Sequence, residues 1–489
     1  MTHFQLLIFT LGTAFALLCL KFCDLIGLLK RSRLPPGPAG HFLFGSLKEF
    51  KANQRWRVFA EWSKLYGDVV HTKVLGRSFV VLNSTQSAAN ILNKQSALTC
   101  GRPRFVMACE LMGFDTATAL SQPNYFHRQM RRLMAPELSA RNLASRLPIQ
   151  IRERDRLLQR LDASPNDFSR HLQRAVASVV LDYSYAHSVP GDHDPLVELI
   201  NKSMATVSVA LSGNSYLVDH LPLYWFPGAA FKVQAREWKR LRRQSIDVPF
   251  LEVKKKIQEL GVVQTCFLQS LLEKRHSLEE WDSEDVRIMK CAAGSLYTAG
   301  SDTTVSALST FVLVMTLFPE KQRKAQLELD SILGQGRLPG FQDQDSLPYI
   351  GALISEVLRW HPVLPLGIPH TCVEDIVYEG YALPKGTTIL PNIWAMTRDA
   401  SIYPNPEQFV PERFLLKSQG GIHEVPARCP TEFIFGFGRR GCPGKFLAVE
   451  SLWIFAASII ATFDILPHVD EATGLPVLPP GTYGNGAIV

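Results

Sequence analysis

Phe435-Gly-Phe-Gly-Arg-Arg-Gly-Cys-Pro-Gly444 places one cysteine, Cys442, in a loop with Gly436, Gly438, Gly441 and Gly444. An apolar run, Phe446 to Phe463, follows and reads as a buried helix. A cysteine just ahead of a helix faces the positive end of the macrodipole, which favours thiolate over thiol. Glycines lack Cβ, so backbone N–H groups can come close to the sulfur. Pro443 stiffens the turn and removes a competing donor. The alternative is a glycine turn before a core helix with an incidental cysteine. The pattern F-x-x-G-x-x-x-C-x-G at Phe435, Gly438, Cys442 and Gly444 arises by chance in roughly one chain in 500 of this length and composition, which disfavours that alternative. A structural zinc site takes about four ligands, so one thiolate does not build it. A lone thiolate in an N–H-rich loop suits the axial position of a haem iron.

The rest of the chain has room for a large core. Its 489 residues are 46% hydrophobic and 20% charged. The net charge of +7 is mild, and no basic run is interleaved with aromatics. An acidic protein partner or an anionic membrane surface therefore fits better than nucleic acid. The nine cysteines are scattered, odd in number and without C-x-x-C, which argues for a reducing compartment. Phe4 to Leu20 carries no charge and is about 25 Å long as a helix; the apolar run continues past Lys21 and Asp24 to Leu29. Lys30, Arg31 and Arg33 follow, so the positive-inside rule leaves the bulk of the chain cytosolic. A cleaved signal peptide competes with this reading, but no basic region precedes the run and no A-x-A-like site ends it. Pro35-Pro36-Gly37-Pro38 make a stiff spacer. The expected organisation is an anchor at 1–29, a basic, proline-rich hinge at 30–40 and a catalytic domain at 41–489.

Residues 69–82 predict two strands around Gly76-Arg77, and most of what remains has helical period without internal repeats. His127 to Arg132 (HRQMRR) is strongly basic, as a solvated helix face also is. Leu221 to Phe231 (LPLYWFPGAAF) is core or a second membrane contact, since Trp and Tyr favour the interface. Ala299 to Thr304 (AGSDTT) lies inside the apolar segment Ile288 to Phe318. Taken alone, Ser301 or Asp302 reads there as the N-cap of a new helix. Glu356 and Arg359 set opposite charges at i and i+3, a surface ion pair of small effect unless it is buried. His370 ends Leu364–His370 (LPLGIPH) and reads as an ordinary loop histidine.

In this order and spacing, with Thr303 56 residues before Arg359 and Arg359 83 before Cys442, the segments closely resemble the cytochrome P-450 family over essentially the whole chain. The resemblance implies a mainly α fold: a large helical domain, a small β-rich lobe and an N-terminal transmembrane helix. It implies haem b with Cys442, set between Phe435, Gly438 and Gly444, as the proximal iron ligand, and Arg440 paired with a haem propionate. HRQMRR stands where the family has W-x-x-x-R, so His127 and Arg131 would face a propionate, with histidine in the tryptophan's place; a ring nitrogen can still donate. His370 would meet a propionate too. In the AGSDTT segment Gly300 would leave room for O2. Thr303 would hydrogen-bond oxygen or its own upstream carbonyl, and Asp302 would relay protons. Arg413, in Pro411-Glu-Arg-Phe414, would join Glu356 and Arg359 in a buried charge network under the haem. Pocket positions by family placement are Phe105, Phe114, Ala293, Leu366 and Tyr483.

The implied activity is that of a monooxygenase. NADPH electrons would come from a flavoprotein reductase docking on the Cys442 side, where Arg439 and Lys445 face an acidic partner. The substrate would be small and apolar. Runs such as GSDTTVSALS and PLGIPH resemble fungal members that tailor terpenoid or aromatic secondary metabolites. The implied location is the endoplasmic reticulum membrane, with the catalytic domain cytosolic. Two rivals stand beside this: a haem-thiolate isomerase or dehydratase acting on a peroxide without a reductase, and a non-catalytic haem-binding protein. The intact Asp302-Thr303 pair counts against both.

Overall fold

The computed structural model describes residues 33–489 apart from 190, 192, 212–215, 220–229, 261–265, 274–282, 335, 423–425, 471, 482, 485, 487 and 489. The expected anchor at 1–29, Lys30 and Arg31 of the hinge, and all but the last two residues of Leu221–Phe231 lie outside the described residues. The longer helices are α1 (Arg55–Tyr66), α2 (Tyr125–Glu137), α3 (Leu147–Ala163), α4 (Phe168–Tyr185), α5 (Pro195–Leu211), α6 (Ala230–Leu260), α7 (Phe267–Glu273), α8 (Glu284–Leu317), α9 (Pro319–Leu333), α10 (Pro348–Trp360) and α11 (Lys445–Thr462). The strands are β1 (Val69–Val74), β2 (Arg77–Leu82), β3 (His370–Thr371), β4 (Ile376–Tyr378), β5 (Tyr381–Leu383), β6 (Thr388–Pro391), β7 (His468–Val469) and β8 (Pro476–Val477).

One sheet has strand order β1-β2-β6-β3. The β1–β2 turn is Leu75-Gly76, both left-handed at φ 49° and 77°, the twist that a two-residue hairpin requires. Arg77 is already in β2, one residue earlier than the sequence suggests. β2 pairs β6 in parallel, with Val80 opposite Ile389, and β3 pairs β6 antiparallel, with His370 opposite Ile389. A parallel pair needs a long crossover, and here the helical domain is that crossover. The Pro35–Pro38 segment lies against β1: His71 N donates to Pro36 O at 2.9 Å, and a Cβ on Gly37 would stand 1.7 Å from His71 O.

The longest helix, α8, has 34 residues, about 51 Å, and packs against α2, α4, α6, α7, α9, α10 and α11. Its N-cap is Ser283, which accepts from Val286 N. The helix does not restart at Ser301 or Asp302. Buried residues continue on both sides of that stretch, and their packing carries the helix through Gly300 despite glycine's intrinsic cost of about 1 kcal/mol. α11 is long and apolar enough to cross a membrane, yet more than half of it is buried inside the protein against α3, α8, α9 and α10. A helix apolar on all faces is what such a core position selects. Phe433 and Phe437 bury in the core of the sheet lobe with Val80, Leu82 and Ile389. The Cys442 loop is thus clamped between that lobe and α11.

Candidate active site

The Cys442 loop is held by its own backbone. Cys442 N donates to Phe435 O at 2.7 Å. Gly438 has φ +49°, and a Cβ there would lie 2.4 Å from Leu92 O and 2.5 Å from Ser96 Cβ, so glycine alone fits. Its N–H donates to Asn93 Oδ1 at 2.7 Å. Cys442 has an exposed side chain, yet burial is the largest influence on its thiol and pushes the pKa up. A group lining the wall of an interior space combines those properties. The Gly444 N–H and the Arg131 guanidinium pull the other way and do not win. The helix-end expectation of a thiolate is therefore not met by the loop alone, because desolvation outweighs the N–H and the cation. A metal cation at the sulfur supplies the charge that is needed.

Five basic side chains gather beside this loop. Asn124 caps α2 by accepting from His127 N at 2.9 Å, which fixes His127 in the first turn and Arg131 one turn on. His127 is buried and Arg131 half-buried, while Arg128 and Arg132 are exposed, so HRQMRR is both a solvated face and an inward one. Arg440 donates to Cys100 O at 2.7 Å, Ser121 O at 2.8 Å and His127 Nε2 at 2.8 Å. His127 Nε2 is therefore an acceptor, and only Nδ1 is left to donate. Arg102, which sequence reasoning missed, is 5% exposed and donates to Ala119 O at 2.7 Å and Pro369 O at 2.7 Å. His370 Nδ1 lies 3.0 Å from Thr99 O. Burial and the neighbouring arginines lower His127 and His370 to about 3, and burial first of all lowers Arg102 to about 9 and Arg440 to about 10.

Among the described residues no carboxylate hydrogen-bonds any of these five. Buried charge calls for partners. Haem b fits this donor set, with iron for the sulfur and two propionates for the cations.

On α8, Thr303 Oγ1 donates to Ala299 O at 2.7 Å, the upstream-carbonyl alternative for this hydroxyl. Asp302 is half-buried, and desolvation raises its carboxyl pKa. A Cβ on Gly300 would meet Val180 Cγ2 of α4 at 3.3 Å. The space at Gly300 therefore faces α4, and what the glycine does here is let the two helices approach.

Glu356, Arg359 and Arg413 come together at 0%, 0% and 1% exposure, which removes the surface-pair alternative. Glu356 accepts from Arg359 Nε at 2.6 Å and Nη2 at 2.8 Å, Arg413 Nε at 3.2 Å and Val410 N at 2.7 Å. The remaining guanidinium N–H groups go to the carbonyls of Thr397, Pro404, Pro406 and Gln408. Arg413 joins because the short turn Pro411–Phe414 packs on α10.

The pocket positions pack into several buried clusters. Phe105 and Phe114 share one apolar cluster with Ile368. Leu366 packs with Phe59 and Trp62 against the sheet, Ala293 lies in the main helical core, and Tyr483 stacks on His361. Arg102 escaped notice because it sits in Gly101-Arg-Pro-Arg104, where nothing local tells which arginine turns inward. Arg104 pairs with the exposed Glu110.

The neutral histidines predict a pH response. Burial holds His127, His361 and His370 at about 3, against 6.5 for a free imidazole. Between those values the unfolded chain binds protons that the folded chain refuses. Their contribution to stability is full above about 6.5 and falls by about 1.4 kcal/mol per pH unit per histidine as pH drops towards 3. Urea midpoints of the haem-free protein should fall between pH 7 and pH 5, His71 at about 4 adding to the slope and Glu450, raised by burial to about 7, opposing part of it, and His361→Gln should make the slope shallower.

The model of the cytochrome P450 family matches residues 35–477. Cytochrome P450 monooxygenase 98 of Postia placenta is 39% identical over 94% of this chain and 89% of its own length. Cytochrome P450 monooxygenase 208 of the same fungus is 37% identical over 99% and 93%. Cytochrome P450 monooxygenase claR of Ampulloclitocybe clavipes is 36% identical over 94% and 85%. With its cysteine loop, its cationic cluster and its mainly helical fold, the chain belongs to the cytochrome P450 family of haem-thiolate monooxygenases.

Proposed function

We propose that the protein inserts one atom of O2 into a small apolar molecule, a terpenoid or aromatic secondary metabolite. Electrons come from NADPH through a flavoprotein reductase, and residues 1–29 anchor the chain to the endoplasmic reticulum membrane. Bound haem supplies the iron at which dioxygen is activated. Cys442 would hold that iron, with Arg131 and the Gly444 N–H favouring the thiolate. Arg102, Arg131 and Arg440 would take the propionates, and a carboxylate beside His127 and His370 would offset the surrounding positive charge.

The observation that carries the reading is the pairing on α8. Thr303 Oγ1 already leans on the Ala299 carbonyl, and Asp302 is next to it with its carboxyl raised by burial. A raised carboxyl releases and retakes a proton nearer working pH, and a neighbouring hydroxyl hands it on. An isomerase working on a ready-made peroxide has no use for that relay.

Thr303→Ala should keep haem and substrate binding and continue to consume NADPH. Product per NADPH should fall and released hydrogen peroxide should rise, because positioned proton transfer contributes about 10²–10⁴-fold. An unchanged product-to-NADPH ratio would mean that Thr303 is only a helix residue.

A further inference from the structure

Arg242, on α6, is 2% exposed, and none of its three guanidinium nitrogens has a hydrogen-bond partner. Few arrangements are as costly for a fold to keep. The Phe114 ring lies over the guanidinium, its centroid 4.7 Å from Cζ. Cys291 of α8 and Tyr185 of α4 face the charge, and the Asp115 carboxylate acts on it more weakly from outside hydrogen-bond reach. The Tyr185 hydroxyl is buried and also without a partner, 3.8 Å from where a Cβ on Gly294 would stand. Asp115, beside Phe114, is exposed and makes no hydrogen bond to Arg242. Two orphaned donors therefore converge where, among the described residues, no group accepts a hydrogen bond from either.

This place connects to the candidate active site. The loop after Phe114 runs alongside α8: the Thr116 side chain reaches Cys291, and Thr118 N donates to Ser295 Oγ at 3.1 Å. Further on, Ser121 O accepts from Arg440. Cys291, Ser295, Ala299 and Thr303 follow at four-residue steps down one strip of α8. Arg242 stands at the upper end of that strip and Thr303 at the lower. From Cys291 to Ala299 is eight residues, about 12 Å of helix.

We propose that Arg242 receives a carboxylate of the substrate, so that the substrate is an amphipathic acid held by its charged end. Its apolar skeleton points towards Ala299 and Thr303, past the Thr116–Thr118 loop that covers Cys291 and Ser295. This deepens the monooxygenase reading and rests on it. A planar guanidinium fork matches a carboxylate with two parallel hydrogen bonds, and the Tyr185 hydroxyl can give a third. A neutral carbonyl leaves the charge uncompensated. Phe114 covers the guanidinium, so the entering acid displaces that ring.

The test is a binding titration of the haem-loaded protein, followed by the Soret shift. The ligands are dodecanoic, farnesoic and abietic acids, each beside its methyl ester. At least one acid should bind roughly 10- to 100-fold more tightly than its ester. Arg242→Gln should abolish that preference while leaving ester affinity in place, and Arg242→Lys should restore part of it. Tyr185→Phe should weaken the acid and not the ester. A merely structural Arg242 would shift acid and ester together. No acid preference in the wild type, or a preference that survives Arg242→Gln, overturns the proposal. If Arg242→Gln does not hold haem, the wild-type comparison and Tyr185→Phe decide. An intact thiolate-type CO spectrum without acid preference sinks only this inference; absence of that spectrum sinks the haem-thiolate reading beneath it.

Discussion

Cys442→Ala is expected to reduce monooxygenase turnover to background and to remove the thiolate-type Soret band of the reduced, CO-bound protein. Among the described cysteines, Cys100, Cys109, Cys266, Cys291 and Cys372 are buried and Cys429 is half-buried; Cys442 alone has an exposed side chain. Burial raises Cys109 and Cys372 to about 12, so neither offers a thiolate at neutral pH. Cys442 also feels burial, but it has Arg131 and the Gly444 N–H against it. No neighbouring cysteine can take over, because the loop geometry is set by Gly438 against Leu92 and by Cys442 N on Phe435 O. Haem content and the CO spectrum of the purified variant check this. A retained thiolate-type band would assign the ligand elsewhere.

Glu356→Ala is expected to leave little or no folded holoprotein. It strips the shared carboxylate from Arg359 and Arg413, both within 1% of complete burial, and orphans Val410 N. Breaking one side of a buried pair typically costs about 3–5 kcal/mol. Whole domains have about 5–15 kcal/mol in hand. Glu61→Ala makes the contrast, since it removes only the exposed pair with Lys64, worth under about 1 kcal/mol. The measurement is the yield of CO-binding protein and the urea midpoint of each variant. Equal midpoints for the two would show that the buried network is dispensable.

Much of the site was legible because its signals are local. The Cys442 loop announces itself by four glycines within ten residues of chain, although what the missing Cβ of Gly438 spares is Leu92 and Ser96, distant in sequence. The helix after it is visible as an apolar run, and so is the segment that becomes α8, although capping logic breaks that segment at Ser301 or Asp302 and only packing carries the helix through. The pairing of Thr303 with Ala299 needs only a four-residue step. The Leu75-Gly76 hairpin was readable to within one residue for the same reason.

What the sequence by itself determined is therefore the family, the cysteine loop, the apolar segment that carries the acid–alcohol pair and the order of the motifs. Those rest on contacts a few residues apart, where spacing is geometry. Only the tertiary structure decided which charges end up buried and against what. Arg440 bonds Cys100 across 340 positions of chain, and Arg413 reaches Glu356 across 57. Arg102 turns inward while Arg104, two residues on, stays at the surface. Gly300 turns its bare side to Val180, and Arg242 is shut beneath Phe114. An arginine's fate depends on which distant carbonyls, rings or carboxylates the closed fold brings to it. No local pattern encodes that choice, because desolvation is imposed by the whole packed domain at once.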